Sequence, residues 1–434
     1  MAIGSIGGLL LGLAVGTASH GSDAGAITAI EPYIKAVGAL WLNALSALVL
    51  PLTVVNVISA VIRSRNAKHT GIIGAQAMAL FVGALVLAAA FTLVLVPPLL
   101  SKLPVDAGFT ASLSQSLPEE ARQAAARPAL GTTPAEIVSA FVPRNLLKSA
   151  LNDELLPVLI FAIAFAFAIG RIKGPYQEIL AGFFGGLAEA LFVLVGWILL
   201  FMPVGAFALA FAFSIDAGAG VAGVLGQFTL FTCGAMLAFT LLLYPLTALA
   251  GRVSVKRFAA AVLPAQISAI STRSSIASLP ALLAGASTLR MDPAVANLAL
   301  PLSVAVFKVN RTVSATVKML FLAHLFGVPL GPVQVITFII TVIILSFTAL
   351  GIPGGGAAFK TMAAYLAVGL PIEGVVLLEA ADVVADIFKT LLNVTGDMSV
   401  ATVLARISGR TNVEGSMGMA PREGFTLDDG ERTV

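Results

Sequence analysis

Thiol, imidazole and indole are scarce in this 434-residue chain. It has one cysteine, three histidines, two tryptophans and four tyrosines. A lone Cys233 excludes a disulfide framework, and His20, His69 and His324 are too scattered for a metal cluster. Few aromatic girdle residues and no alternating ten-residue segments argue against an outer-membrane barrel. Charge is scarce as well, at 11% of residues, where soluble domains carry about 25%. The net charge is only +3 and no basic face stands outside the loops, so nucleic acid is not a partner.

What is abundant is apolar surface. Hydrophobic residues make up 58% of the chain and the mean hydropathy is +1.00. At roughly 20 residues per crossing that allows about a dozen spans. The reading is an all-α polytopic membrane protein in the lipid bilayer. Apolar segments fall at 3–19, 36–62, 71–99, 151–170, 180–213 and 219–250, and the last span at 374–406. The first segment has no basic n-region and reads as a span, not a cleaved signal. Segments 255–290 and 335–372 are broken by Ser, Gly and Pro, and 292–327 carries charge in mid-span. Basic residues follow spans two, four, six and eight, for example Arg63, Arg171, Arg252 and Arg406. The positive-inside rule then puts both termini in the cytoplasm. It closes only if 255–290 and 335–372 enter and leave on the same side, as re-entrant hairpins. The polar insert 101–150 falls outside, and the Gly-rich tail from Ile407 reads as disordered.

Four constellations carry chemistry. Residues 271–280 hold five hydroxyls and Arg273 at membrane depth, which requires a lining of protein or water. A hydroxyl-rich helix seam is the structural alternative, and Arg273 and Pro280 fit it badly. Residues 351–356 hold four glycines and Pro353 and cannot continue a helix, so they form a hairpin tip. Paired interruptions of this kind point to a transporter's binding site. In the last span Asp382, Asp386, Lys389, Asn393 and Asp397 follow steps of 4, 3, 4 and 4, which places them on one helix face. Thr390 flanks them, and an internal Asp386–Lys389 pair is the structural alternative. Lys308 and Arg311 share a face in mid-span and need buried anions, either for function or for plain neutralisation. Lys318 is read as snorkelling to an interface, and Glu189 as a packing residue.

These residues resemble the dicarboxylate/amino acid:cation symporter family, the glutamate transporter homologues. Leu48-Val49-Leu50-Pro51, Phe201-Met202-Pro203-Val204-Gly205, the serine-rich hairpin, Gly351-Ile352-Pro353-Gly354-Gly355-Gly356 and Asn393-Val394-Thr395-Gly396-Asp397 carry the likeness, from about residue 5 to 406. The resemblance implies eight transmembrane helices with two opposed re-entrant hairpins, a homotrimer in the inner membrane and elevator-type transport. It divides the chain into scaffold spans (1–70 and 151–214), a transport domain (71–100 and 215–406), the loop 101–150 and the tail 407–434. By the same resemblance Ser275 and Asn393 meet a substrate carboxylate, Asp386 with Thr390 meets its amino group, and backbone at Arg273, Ser274, Ile352 and Gly356 closes around it. Lys389 stands where the family has an arginine for a second carboxylate, as a point charge without the guanidinium fork.

The departures lie in the cation sites. Phe307, Lys308, Val309, Asn310 and Arg311 fall on the family's Asn-Met-Asp-Gly-Thr, and Leu85 and Ala88-Ala89 on its third-span ligands. Hard cations need several oxygens. Of the sodium ligands only Asn393 and Asp397 remain as candidates. The expectation is an acidic amino acid transporter with sodium coupling lost or weakened. Lys308, paired with Asp397 or Asp386 and supported by Asp382, or a proton, takes the cation's place, and Arg311 touches the ligand. A C4-dicarboxylate carrier, a sodium-coupled symporter and an anion channel are the alternatives. An enzyme is not expected, since no nucleophile with a base and no metal-ligand spacing occurs. No cofactor is implied.

Overall fold

The computed structural model describes residues 2–21, 25–66, 71–102, 145–151, 155–347, 357–382 and 384–409. Among these there are seventeen helices and no strand. Much of the 101–150 loop, the 351–356 tip with Ile352 and Gly356, and the tail beyond Gly409 lie outside the described residues.

One group of helices is α1 (Ala2–Ser19), α2 (Gly25–Asn66), α6 (Leu155–Ile169), α7 (Pro175–Leu200) and α8 (Met202–Ala217), with the short α4 (Pro97–Leu100) and α5 (Leu146–Leu151) at connections. Glycine sets the α1–α8 spacing. Gly8, Gly12 and Gly16 recur every fourth residue, and a Cβ on each would meet the carbonyl oxygens of Pro203, Phe207 and Phe211 at 2.1, 2.4 and 2.7 Å. Such small-residue ridges let membrane helices approach closely where no hydrophobic force pulls them together. The apolar run 180–213 is two helices here, because the chain turns at Phe201 and Pro203 sits in the first turn of α8. Trp41 of α2 covers that turn. Its Nε1 donates to Ile198 O at 3.0 Å, and its ring lies over Gly205. Glu189 is exposed on α7.

The second group is α3 (Gly71–Leu95) and α9 to α17. These are α9 (Gly220–Gly251), α10 (Val255–Thr272), α11 (Leu279–Thr288), α12 (Pro293–Val306), α13 (Val309–Phe326), α14 (Pro332–Ser346), α15 (Ala357–Leu366), α16 (Ile372–Ala381) and α17 (Asp386–Ile407). Helix α17 packs against α9, α10, α12, α13 and α3. Hydrogen bonds absorb part of its polar side. Gln266 Nε2 donates to Thr395 Oγ1 at 2.8 Å and to Tyr244 at 2.9 Å, and the hydroxyls of Thr247 and Ser399 meet.

Two helix pairs fold back on themselves. The pair α10–α11 turns at Arg273, which takes the left-handed conformation (φ 51°) and ends α10. At the open end Arg257 donates to Thr288 O through Nε (3.2 Å) and Nη2 (3.1 Å), so the pair begins and ends together. The ten residues of α11 reach about 15 Å, half a bilayer core. In the pair α14–α15 the Phe338 and Tyr365 rings meet at a tilt of 54° with centroids 5.2 Å apart. Among the described residues five helical stretches, Ala29–Ile62, Ile72–Leu100, Pro175–Leu200, Gly220–Gly251 and Pro293–Phe326, are long and apolar enough to cross a membrane.

Candidate functional site

Two helix breaks lie at the heart of the second group. Between α12 and α13 the chain leaves helical geometry at Phe307 (φ −86°, ψ 114°) and Lys308 (φ −128°, ψ 76°). The broken end exposes backbone donors that need partners. Asn393 Oδ1, from α17, accepts from Asn310 N at 3.1 Å and supplies one. Between α16 and α17 the helix stops at Asp382 and restarts at Asp386. The stripe from Asp382 to Asp397 is therefore not one helix, and Asp382 belongs to the end of α16.

Beside these breaks lies a cleft of about 470 Å³, counting its open side. Lys308, Arg311, Asp382, Lys389 and Asn393 line it, so five of the expected residues converge. Lys389 Nζ bonds Asp382 Oδ2 at 2.6 Å. That replaces the Asp386–Lys389 pair with one to the residue seven positions earlier. Arg311 Nη1 donates to Leu345 O (3.2 Å) and Ser346 O (3.3 Å), so it caps the C-terminal end of α14. Lys308 Nζ donates to Val304 O within its own broken helix.

Lys318 does not snorkel. It is 2% exposed, lies over the Phe228 ring at 5.6 Å, pairs with Glu379 and sits 3.7 Å from Asp382 Oδ2. Burial of its end by α9 and α16 leaves it no route to an interface. Glu379 lines the cleft and so do Tyr365, Thr361, Ser314 and Asn310. Glu379 is missing from the sequence-derived set although it lies three residues before Asp382 in the last apolar run. The position of Lys318 was legible, since seven residues from Arg311 is two full turns.

The rest of the expected set lies elsewhere. Arg273 is exposed at the α10–α11 turn, with Ser274 and Ser275 half-buried beside it. There Ser274 Oγ accepts from Ala277 N at 3.2 Å, and none of the three lines the cleft. Asp386 starts α17 one turn before Thr390, whose hydroxyl donates to Asp386 O at 3.0 Å. No side-chain bond to Asp386 occurs among the described residues. Asp397 is fully buried, and neither of its carboxylate oxygens has a hydrogen-bond partner. Lys308 and Ser303 are its polar neighbours. Around it stand apolar groups. Phe307 and Phe81 are stacked at 4.9 Å, and Phe307 and Val309 abut Gly396, the residue before Asp397. Among the described residues no three His, Cys, Asp or Glu side chains gather into a metal site.

The lining charges do not cancel. Lys308, Arg311, Lys318 and Lys389 face Glu379 and Asp382, and counting Asp397 still leaves one cation in excess. Among the described residues Arg311 is the uncompensated one, since it donates to carbonyls and no carboxylate charge acts on it, whereas Lys308 has Asp397. A desolvated positive excess favours a small anion.

Helical spans enclosing a charged cleft, with helices broken beside it and paired half-helices around it, define a polytopic membrane carrier. The chain belongs to the sodium:dicarboxylate symporter family, whose model matches residues 1–407. It is similar to the proton/sodium-glutamate symport protein of Bacillus subtilis, at 25% identity over 93% of this chain and 92% of that one. It is also similar to the proton/glutamate-aspartate symporter of Escherichia coli, at 23% identity over 92% and 90%. The C4-dicarboxylate transport protein 3 of Bradyrhizobium diazoefficiens is 26% identical over 87% of this chain and 83% of that one. The family and these relatives are transporters, not enzymes, and the protein is a secondary transporter of acidic substrates.

Proposed function

We propose that this protein carries an acidic amino acid, aspartate or glutamate, by elevator-type motion. In this reading α3 and α9 to α17 move against a scaffold of α1, α2, α6, α7 and α8, as a homotrimer in the inner membrane with both termini cytoplasmic. The observation that carries it is the uncompensated Arg311 in a cleft that also holds Lys389. These cations would take the two carboxylates, Arg311 exchanging a carbonyl partner for a ligand oxygen. Asp382 Oδ1, which has no hydrogen-bond partner, and Asp386 at the start of α17 are the carboxylates available to an ammonium group.

Sodium coupling is weakened or lost in this proposal. The stacked Phe81 and Phe307 and the buried Val309 offer no side-chain oxygen to a hard cation, and the charge of the Lys308 ammonium, held by Val304 O, acts on Asp397. Uptake of labelled aspartate into proteoliposomes preloaded with aspartate tests this, with sodium and the proton gradient set independently. Exchange indifferent to sodium is expected. Exchange that demands sodium would show that the missing ligands are supplied elsewhere. The second reading is a C4-dicarboxylate carrier, favoured by the pair Arg311 and Lys389 in one cleft and by the dicarboxylate-named relative. Stronger competition by succinate than by aspartate would select it.

A further inference from the structure

One carboxylate oxygen in the cleft is shared by two lysines. Asp382 Oδ2 lies 2.6 Å from Lys389 Nζ and 3.7 Å from Lys318 Nζ. Lys318 in turn is held by Glu379 and walled by Phe228, so it cannot leave. Three elements meet here, with Lys318 on α13, Glu379 and Asp382 at the end of α16, and Lys389 on α17. We propose that Lys318 and Glu379 are positioning residues that set how strongly the cleft favours anionic ligands, by fixing how much of the Asp382 carboxylate is left for Lys389. This rests on the reading of the cleft as the site of an anionic ligand.

The direction of each effect follows from the sharing. Lys389 can attract a ligand carboxylate only to the extent that its charge is not already spent on Asp382. With Glu379 present, Lys318 is largely neutralised and stays at the longer distance from Asp382. If Glu379 loses its charge, Lys318 has only Asp382 to pair with and draws Oδ2 away from Lys389. The Lys389 ammonium is then freer for the ligand. If Lys318 loses its charge, Glu379 and Asp382 both act on Lys389, and two anions compete with the ligand for it. Removing both charges returns the original balance at Lys389. A purely structural pair behaves differently, because breaking it from either side leaves a buried charge without its partner and harms function both ways.

The test uses the full chain in proteoliposomes. Unlabelled aspartate and unlabelled succinate compete with labelled aspartate uptake in the native protein, Glu379→Gln, Lys318→Met and the double variant. Glu379→Gln should lower both inhibition constants about tenfold, the scale of one partly screened charge contact. Lys318→Met should raise them about tenfold, and the double variant should return to within about twofold of the native protein. Glutamine keeps the shape of Glu379 and can accept from Lys318. If Lys318→Met does not fold, Glu379→Gln and the double variant decide. Unchanged or weaker competition in Glu379→Gln overturns the inference and leaves the substrate reading standing. Native protein that takes up and binds neither acid overturns both.

Discussion

The two helix groups keep their charges in opposite ways. In the α1, α2, α6–α8 group the ion pairs among the described residues sit toward the helix ends, where half-buried Lys35 meets Glu31 at 2.7 Å and Asp216 at 3.1 Å. Its interior is fixed by close backbone contact through glycine, with no buried ion pair among its described residues. Among its described residues the α3, α9–α17 group gathers charged side chains of both signs around two helix breaks. Unpaired charge at membrane depth is expensive, so a region that keeps it pays through every surrounding contact. A rigid apolar group and a polar, interrupted one are what a carrier needs if one part stays still while the other handles the ligand.

The largest expected effect lies on the rigid side. Gly8→Val places side-chain carbon 2.1 Å from Pro203 O, and neither backbone can yield without separating α1 from α8. We expect a loss of about 3 kcal/mol or more, seen as failure to recover a monodisperse protein in detergent. Gly7→Val has nothing within 4 Å and should leave the elution profile unchanged. Equal behaviour of the two would break the claim that glycine packing holds this group.

On the polar side the largest effect falls at Arg311. Arg311→Gln removes a cation and leaves Leu345 O and Ser346 O without their shared donor. Initial aspartate exchange should fall about a hundredfold, as expected when a buried charge is truncated. Arg311→Lys should recover only part of it, since an ammonium cannot serve a ligand and two carbonyls in the same planar geometry. Full activity in Arg311→Gln would sink the view that this guanidinium is the ligand's anchor.

How far this division could be read beforehand depended on whether a residue acts through its local pattern. The serine-rich turn and the Gly/Pro tip interrupt long apolar runs, and interruption is a local signal. Convergence of Lys389 with Asn393 follows from helical spacing alone. The break after Asp382 carries no Gly or Pro, so the stripe through Asp382 looked continuous, and the actual Lys389 partner crosses that break. Lys318 was misjudged because snorkelling treats a lysine by its own position, whereas Phe228 and Glu379 come from α9 and α16. Arg273 with Ser274 and Ser275 shows the opposite limit, since a legible turn did not establish which cavity it would line.

Lys308 and Asp397 sharpen the comparison at the point where charge meets the apolar stack. Lys308→Met leaves Asp397 buried beside Phe307 without its cationic neighbour, and sodium-independent exchange should fall about tenfold. Lys308→Met combined with Asp397→Asn removes both charges and should restore most of the loss in the same assay. A double variant no better than the single one would mean that Lys308 acts on the ligand and not on Asp397.

The smallest expected effect comes from trying to convert the apolar side back. Phe307 and Val309 are each 1% exposed and both touch Gly396 beside Asp397. Phe307→Asn with Val309→Asp would place an amide oxygen and a carboxylate next to the unpartnered Asp397 oxygens. Two added ligands remain short of the six or so oxygens that a hard cation prefers, and the Lys308 ammonium still competes for the same carboxylate. Sodium should therefore stimulate exchange only about two- to threefold in this variant, and more once Lys308→Met is added. The increment from removing Lys308 is the informative quantity. If sodium stimulation is the same with and without Lys308, the proposal that the lysine occupies a cation's electrostatic place fails.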